Sequence, residues 1–203
     1  MRDRILETAD RLFYGQGIRA IGVDTVAAEI GISKRTLYNH FPSKEALIEA
    51  YLGRRFTSPR PSDVPPVEQI LSHFDRLERL IAGGHFRGCP FVNAVTELGE
   101  SSPPVTEIAI AFKEQQRTWF RDLLASAGAP DPDNLATQLA ILVDGALVTA
   151  QVRGDPSMTR AAKDAAVVLL AAAGIATANL AEGVDRPLSS GEEAGPRQSN
   201  QEP

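Results

Sequence analysis

The segment Thr25-Val-Ala-Ala-Glu-Ile-Gly-Ile-Ser-Lys-Arg-Thr-Leu-Tyr-Asn-His-Phe-Pro-Ser-Lys44 divides into a short helix, a tight turn at Gly31 and a second short helix. Glycine suits the turn because it accepts backbone angles that side chains resist. The Ser33 hydroxyl supplies the N-cap of the second helix. Leu37 and Phe41 lie four apart, which places both on one face as anchors. Lys34, Arg35, Thr36, Tyr38, Asn39 and His40 then point outward. A helix whose free side is cationic, hydroxylated and aromatic fits a polar, anionic partner, and the major groove of DNA has the matching shape.

Residues 2–16 place Ile5, Leu6, Ala9, Leu12 and Phe13 on one helical stripe, and the glycines at 15 and 17 stop it. Ile18, Ile21 and Val23 lead inward, Asp24 or Thr25 is the expected cap of the next helix, and Val26, Ala27 and Ile30 form its inner face. Pro42 halts the following helix, and Ser43 caps a fourth running from Lys44 to about Phe56, with Leu47, Ile48, Tyr51 and Leu52 on one side. Residues 1–55 therefore read as a single small helical unit. Four prolines between Thr57 and Pro66 mark its boundary.

The pattern stays helical beyond that boundary. Ile70, Leu71, Phe74, Leu77, Leu80 and Ile81 recur at spacings of three and four through 67–82. The glycine-rich run 83–88 breaks this helix, and Pro90 opens another to about Leu98. A long helix over about 104–126 follows, with Ile108, Ala111, Phe112, Trp119, Phe120 and Leu123 as apolar content. Helices over about 133–153 and 157–182 complete the set, the last with ten alanines between Ala161 and Ala181. Residues 184–203 are rich in Gly, Ser, Glu, Gln and Pro with few large apolar side chains, a composition expected to be disordered. The predicted fold class is all-α, about nine helices, with residues 1–55 and 67–183 as its two units.

A formal charge of −5 argues against nucleic acid until it is divided by segment. Residues 1–55 carry nine Lys/Arg against seven Asp/Glu, whereas 56–203 carry twelve against nineteen. The positive end is the end with the short helices. A single cysteine, Cys89, excludes an internal disulfide framework and suits a reducing cytoplasm. No basic, apolar leader precedes the first helix. The uncharged run Ala165–Ala176 falls short of the ~20 residues needed to span a bilayer, so no membrane role is expected.

Residues 31–47, Gly-Ile-Ser-Lys-Arg-Thr-Leu-Tyr-Asn-His-Phe-Pro-Ser-Lys-Glu-Ala-Leu, preceded by Asp24-Thr25-Val26-Ala27, closely resemble the DNA-binding signature of the TetR family of bacterial transcriptional regulators. The resemblance implies an N-terminal three-helix helix-turn-helix domain, a connecting fourth helix, and a larger helical domain that binds ligand and dimerises. It places Lys34, Arg35 and Thr36 at base edges and Thr25, Tyr38, His40 and Lys44 at phosphates, with Ser33 and Asn39 on the same surface. It further implies a cytoplasmic homodimer joined through the last two helices, associated with the nucleoid on binding a double-stranded operator. A small-molecule effector would release it.

Bland readings stand beside these. The cations can be a solvated face, and Tyr38 can rest its ring on the small core. Cys89, beside a helix start, is either a redox-sensitive thiol or a small buried hydrophobe. Phe91, Asn93, Thr96, Phe112 and Trp119 are either a ligand cavity wall or plain core. His73 and His85 stand apart from any partner at metal-ligand spacing, so neither a metal site nor a cofactor is expected. No nucleophile with a partnered base appears, which ranks a helical enzyme well below a regulator. Repressor, activator and ligand-independent regulator remain open on sequence.

Overall fold

The apolar stripe of Ile5, Leu6, Ala9, Leu12 and Phe13 makes Arg2–Gln16 a helix, α1, whose inner face is withdrawn from solvent. The computed structural model describes residues 1–57, 62–99 and 101–177, and the expected disordered tail lies outside them. Helix α2 covers Val23–Ile30 and begins on the backbone of Gly22, with no side-chain cap. The expectation of a cap from Asp24 or Thr25 is thus corrected. Val23 is drawn into the core and the helix starts two residues ahead of the start that an Asp24 cap would give, leaving the first-turn amides at an exposed end.

Gly31 adopts φ 76°, ψ 36°, and Ile32 donates its N–H back to the Ala27 carbonyl at 3.0 Å, which closes α2 and redirects the chain. Helix α3, Lys34–His40, starts where Ser33 Oγ accepts the Thr36 N–H at 3.1 Å. Helix α4, Lys44–Arg55, repeats the device with Ser43 accepting from Ala46 at 3.1 Å. Arg55 donates two hydrogen bonds to the Asp10 carboxylate, at 2.6 and 2.8 Å, and lies over the Tyr14 ring, fastening α4 to α1.

Five further helices follow: α5, Pro66–Ala82; α6, Pro90–Leu98; α7, Pro103–Ser126; α8, Pro132–Arg153; and α9, Met158–Ala172. Two apolar cores result, and the division between them does not fall at the prolines. Phe91 and Ala94 of α6 and Val105 and Ala109 of α7 join the core of α1–α4. The second core gathers α5, α8 and α9 around Phe120 and Leu124 of the far half of α7. Helix α7, 24 residues and therefore ~36 Å long, runs through both.

Two expectations change in detail. Leu80 sits outward, 59% exposed, although its spacing matched the inner face of α5. The last helix ends at Ala172 because Gly174 takes φ 76° and turns Ile175 back onto the core; the expected continuation beyond residue 177 lies outside the described residues. Among the described residues α8 is the helix long and apolar enough to cross a bilayer. It is a bundle member here: Leu135, Leu139 and Val143 are buried and Asp144 pairs with Lys113 of α7.

Leu37 is fully buried and, with Phe41, fixes the inner side of α3. Leu37→Ala is expected to cost about 3 kcal/mol of unfolding free energy, and Ser33→Ala about 1 kcal/mol. Urea titrations followed by circular dichroism would measure both, and wild-type midpoints would contradict the anchoring role.

Candidate nucleic-acid interface

Leu37 and Phe41 are buried beneath α3, and the Arg2 guanidinium lies 4.5 Å from the Phe41 ring centre, closing the core from the α1 side. What remains outward is the predicted set. Ser33, Lys34, Arg35, Tyr38 and Asn39 are exposed, Thr36 and His40 are half-buried, and Thr25 is exposed in the first turn of α2. The Ser33 and Thr36 hydroxyls lie 2.9 Å apart, so both sit at the start of the helix.

Lys34 Nζ donates to Asp24 at 2.9 Å, which brings the first turns of α2 and α3 onto one surface. The hydrogen bond to Asp24 raises the Lys34 pKa and keeps its ammonium charged. Sequence reading missed Asp24 in this role, because the contact crosses from one helix to the next. Lys44 differs from the other predicted contacts. Its Nζ is half-buried and donates to the Ile18 carbonyl at 2.7 Å, and loss of water lowers its pKa. It ties α4 to the turn between α1 and α2.

A second feature lies away from α3. Helices α6, α7 and α8 border a cavity of about 490 Å³, with Phe91, Val95, Thr96, Ile110 and Ile141 among its walls. Lys113 paired with Asp144, and Arg117 paired with Glu114, supply its polar rim. Of the predicted wall, Phe91 and Thr96 are present. Phe112 stacks on Phe91 at 3.9 Å outside the lining, and Trp119 sits against His73 at 5.3 Å. Asn93 donates to the Arg87 carbonyl at 2.7 Å, beside Cys89 and a smaller hollow. On α7 the wall is Thr106, Ala109, Ile110, Lys113, Glu114 and Arg117, a single face at helical spacing that positions 112 and 119 cannot share. The charged members were missed because no local signal distinguishes them from other charged helix positions.

Residues 5–51 match the profile described as bacterial regulatory proteins, tetR family, and residues 66–165 match that of the transcriptional regulator LmrA/YxaF-like C-terminal domain. The chain belongs to the TetR family of bacterial regulatory proteins. It is 30% identical over 173 residues to the uncharacterized HTH-type transcriptional regulator YxaF of Bacillus subtilis, covering 76% of this chain and 86% of that one. A TetR transcriptional regulator from Streptomyces avermitilis superposes with a TM-score of 0.77 at 34% identity, covering 86% of this chain and 98% of the other. A shorter similarity, 26% over 125 residues, links it to the HTH-type transcriptional repressor KstR2 of Mycolicibacterium smegmatis, across 58% of this chain and 60% of that protein. The protein is accordingly a DNA-binding transcriptional regulator of helix-turn-helix type and not an enzyme.

Within the TetR fold the imidazole of His73 is held far from its usual range by burial. His73 of α5 is packed among the rings of Phe74, Trp119 and Phe120. Burial, with Arg76 alongside, pushes its pKa down to about 3. Arg76 lies 2.8 Å from Nδ1 and can only donate, so Nδ1 accepts and Nε2 carries the proton. A half-turn of the nearby Gln116 amide brings Oε1, otherwise buried without a partner, to accept from it.

In the unfolded chain His73 returns towards 6.5. Below that value the unfolded state binds a proton that the folded state refuses, so stability falls as pH drops and is retained above it. The expected loss from this residue is about 2 kcal/mol between pH 7 and pH 5. Urea unfolding at both pH values should show His73→Gln losing less than wild type by about that amount. Equal losses would show that the ring is not held neutral.

Proposed function

We propose that the protein is a homodimeric repressor, cytoplasmic and nucleoid-associated when bound, that leaves a near-palindromic operator when a small apolar or amphipathic molecule enters the cavity between α6, α7 and α8. The observation that carries this reading is the position of Phe91. Its ring is buried in the core shared with α1–α4 and also forms cavity wall. Phe56, at the end of α4, meets both Phe91 at 6.2 Å and Phe112 at 5.7 Å, so the head and the cavity share packed atoms. Packed cores respond to displacement by switching between arrangements rather than by stretching. The effector shifts the equilibrium only by its difference in affinity for the two arrangements.

Residues 1–55 act as the reading head and the chain from 67 onward as the regulatory and dimerising unit. Lys34, Arg35 and Thr36 meet base edges, because Lys and Arg match guanine acceptors in the major groove. Ser33, Thr25, Tyr38, Asn39 and His40 fix the register along phosphates. Lys44, bonded to the Ile18 carbonyl, supports the frame of the head instead.

The dimer reading rests on an uncovered apolar face. Ile141, Val148 and Val152 of α8 are 66%, 53% and 82% exposed, and Val168 of α9 is 67% exposed. Gly145 of α8 and Ala161 and Ala172 of α9 are exposed on the same pair of helices, small enough for helices of a second copy to approach closely. The four helices so joined set two copies of α3 in successive major grooves about 34–36 Å apart or somewhat more.

Three measurements test the proposal. Titration against the DNA upstream of its own gene should give specific binding that weakens steeply with salt; Lys34→Ala should lower affinity and reduce the salt slope by about 1. An unchanged slope would remove Lys34 from the phosphate or base contacts. Light scattering should give twice the 21.8 kDa chain mass, and the Val148→Glu/Val168→Glu double variant should give one chain mass. A wild-type monomer would defeat the interface. Transcription of the adjoining genes should rise when the gene is deleted, and a fall would make the protein an activator.

A further inference from the structure

Helix α6 has two working faces. One supplies cavity wall through Val92, Val95 and Thr96. The other is tied to the reading head by hydrogen bonds at both of its ends. Ahead of its N-terminus, the Tyr14 hydroxyl donates to the Gly88 carbonyl at 3.0 Å and accepts the Arg87 N–H at 2.9 Å. The Arg87 guanidinium donates to the Gly15 carbonyl. Near its C-terminus, Glu97 accepts the backbone N–H of Arg19 at 2.8 Å.

The turn that receives Glu97 is unusually committed. Gly17 has φ +95°, and a Cβ there would lie 3.2 Å from Glu97 Oε2, so the carboxylate occupies the space a side chain would take. Between them, the Ile18 carbonyl accepts from Lys44 of α4, and the Glu97 charge acts favourably on that ammonium. The turn joining α1 to α2 is thus gripped by α4 from one side and by α6 from the other. Helix α2 leaves this turn and carries α3 through Gly31. Thr96 and Glu97 are neighbours in sequence, so cavity wall and grip move together.

We propose that Glu97 is the positioning residue that couples α6, a wall of the cavity, to the α1–α2 turn and so to the orientation of α3. This rests on the cavity being the effector site. A molecule that wedges α6 away from α7 and α8 shifts the Glu97 carboxylate, and the Arg19 N–H must follow it or lose its partner. The cost of a stranded partner makes following the favoured course. Coupling between sites is reciprocal, so DNA held by α3 must in turn bias the placement of α6. That reciprocity allows a test with no effector in hand.

The test is amide hydrogen exchange read by mass spectrometry on the full-length dimer, free and saturated with the specific upstream duplex. In the wild type, DNA should slow exchange by about fivefold or more in residues 90–98 as well as in α3. Glu97→Ala should bind the duplex within about threefold of wild type, as expected of a partly exposed substitution, yet show no DNA-dependent change in 90–98. Glu97→Gln keeps an acceptor oxygen and should retain the wild-type response. Should Glu97→Ala melt below the assay temperature, Glu97→Ser, too short to reach Arg19, takes its place. DNA-dependent slowing in 90–98 that survives Glu97→Ala, or is absent in the wild type, overturns the proposal while leaving DNA binding intact. Absence of specific DNA binding by the wild type overturns the functional reading and the proposal together.

Discussion

Burial of Leu37 and Phe41 beneath a seven-residue helix is the constraint on which the rest depends. Helices this short do not persist alone in water, since nucleation consumes more entropy than a few hydrogen bonds return. Helix α3 exists because Ser33 caps it, the left-handed turn at Gly31 aims it, and a core built from α1, α2 and α4 receives its two anchors. Once those positions are apolar and inward, the remaining ones have only solvent or a partner to meet. The functional surface is the remainder after folding is satisfied.

Electrostatics refine that surface without forming it. The head carries a small positive excess within an acidic chain, and Asp24 holds Lys34 in place before any DNA arrives. An exposed pair of this kind contributes little to stability. In the proposed reading its consequence is for recognition: the carboxylate would be exchanged for a phosphate or base, and a poorly matched site would favour that exchange less. Arg55, by contrast, is invested in the frame, with two bonds to Asp10 and an aromatic face beneath it.

The fold was largely legible because helical periodicity and caps are local signals. Ser33, Gly31, Ser43 and Pro90 each announce an element from one or two positions. What could not be read is contact between elements. The stripe of α5 placed Leu80 inward, yet it lies at the edge where no helix covers it. Lys113 and Arg117 rim a cavity that no local pattern announced, because Asp144, the partner of Lys113, comes from a helix some thirty residues on. Gly174 was submerged in an alanine-rich run whose composition favours helix, and only its backbone angle reveals the stop. The exposed face of α3 was legible for a different reason: turn, cap and anchors fix which of its residues lie outward. The cavity has no comparable local grammar.

A single experiment bears most directly on whether paired α3 helices read DNA. Hydroxyl-radical footprinting of the wild-type protein on its upstream duplex should show two protected patches related by a dyad, on one side of the helix, with centres about one turn of DNA apart or slightly more. The protected sequence should be near-palindromic about that dyad. One unbroken or sequence-independent zone of protection, or patches without dyad symmetry, would contradict the account.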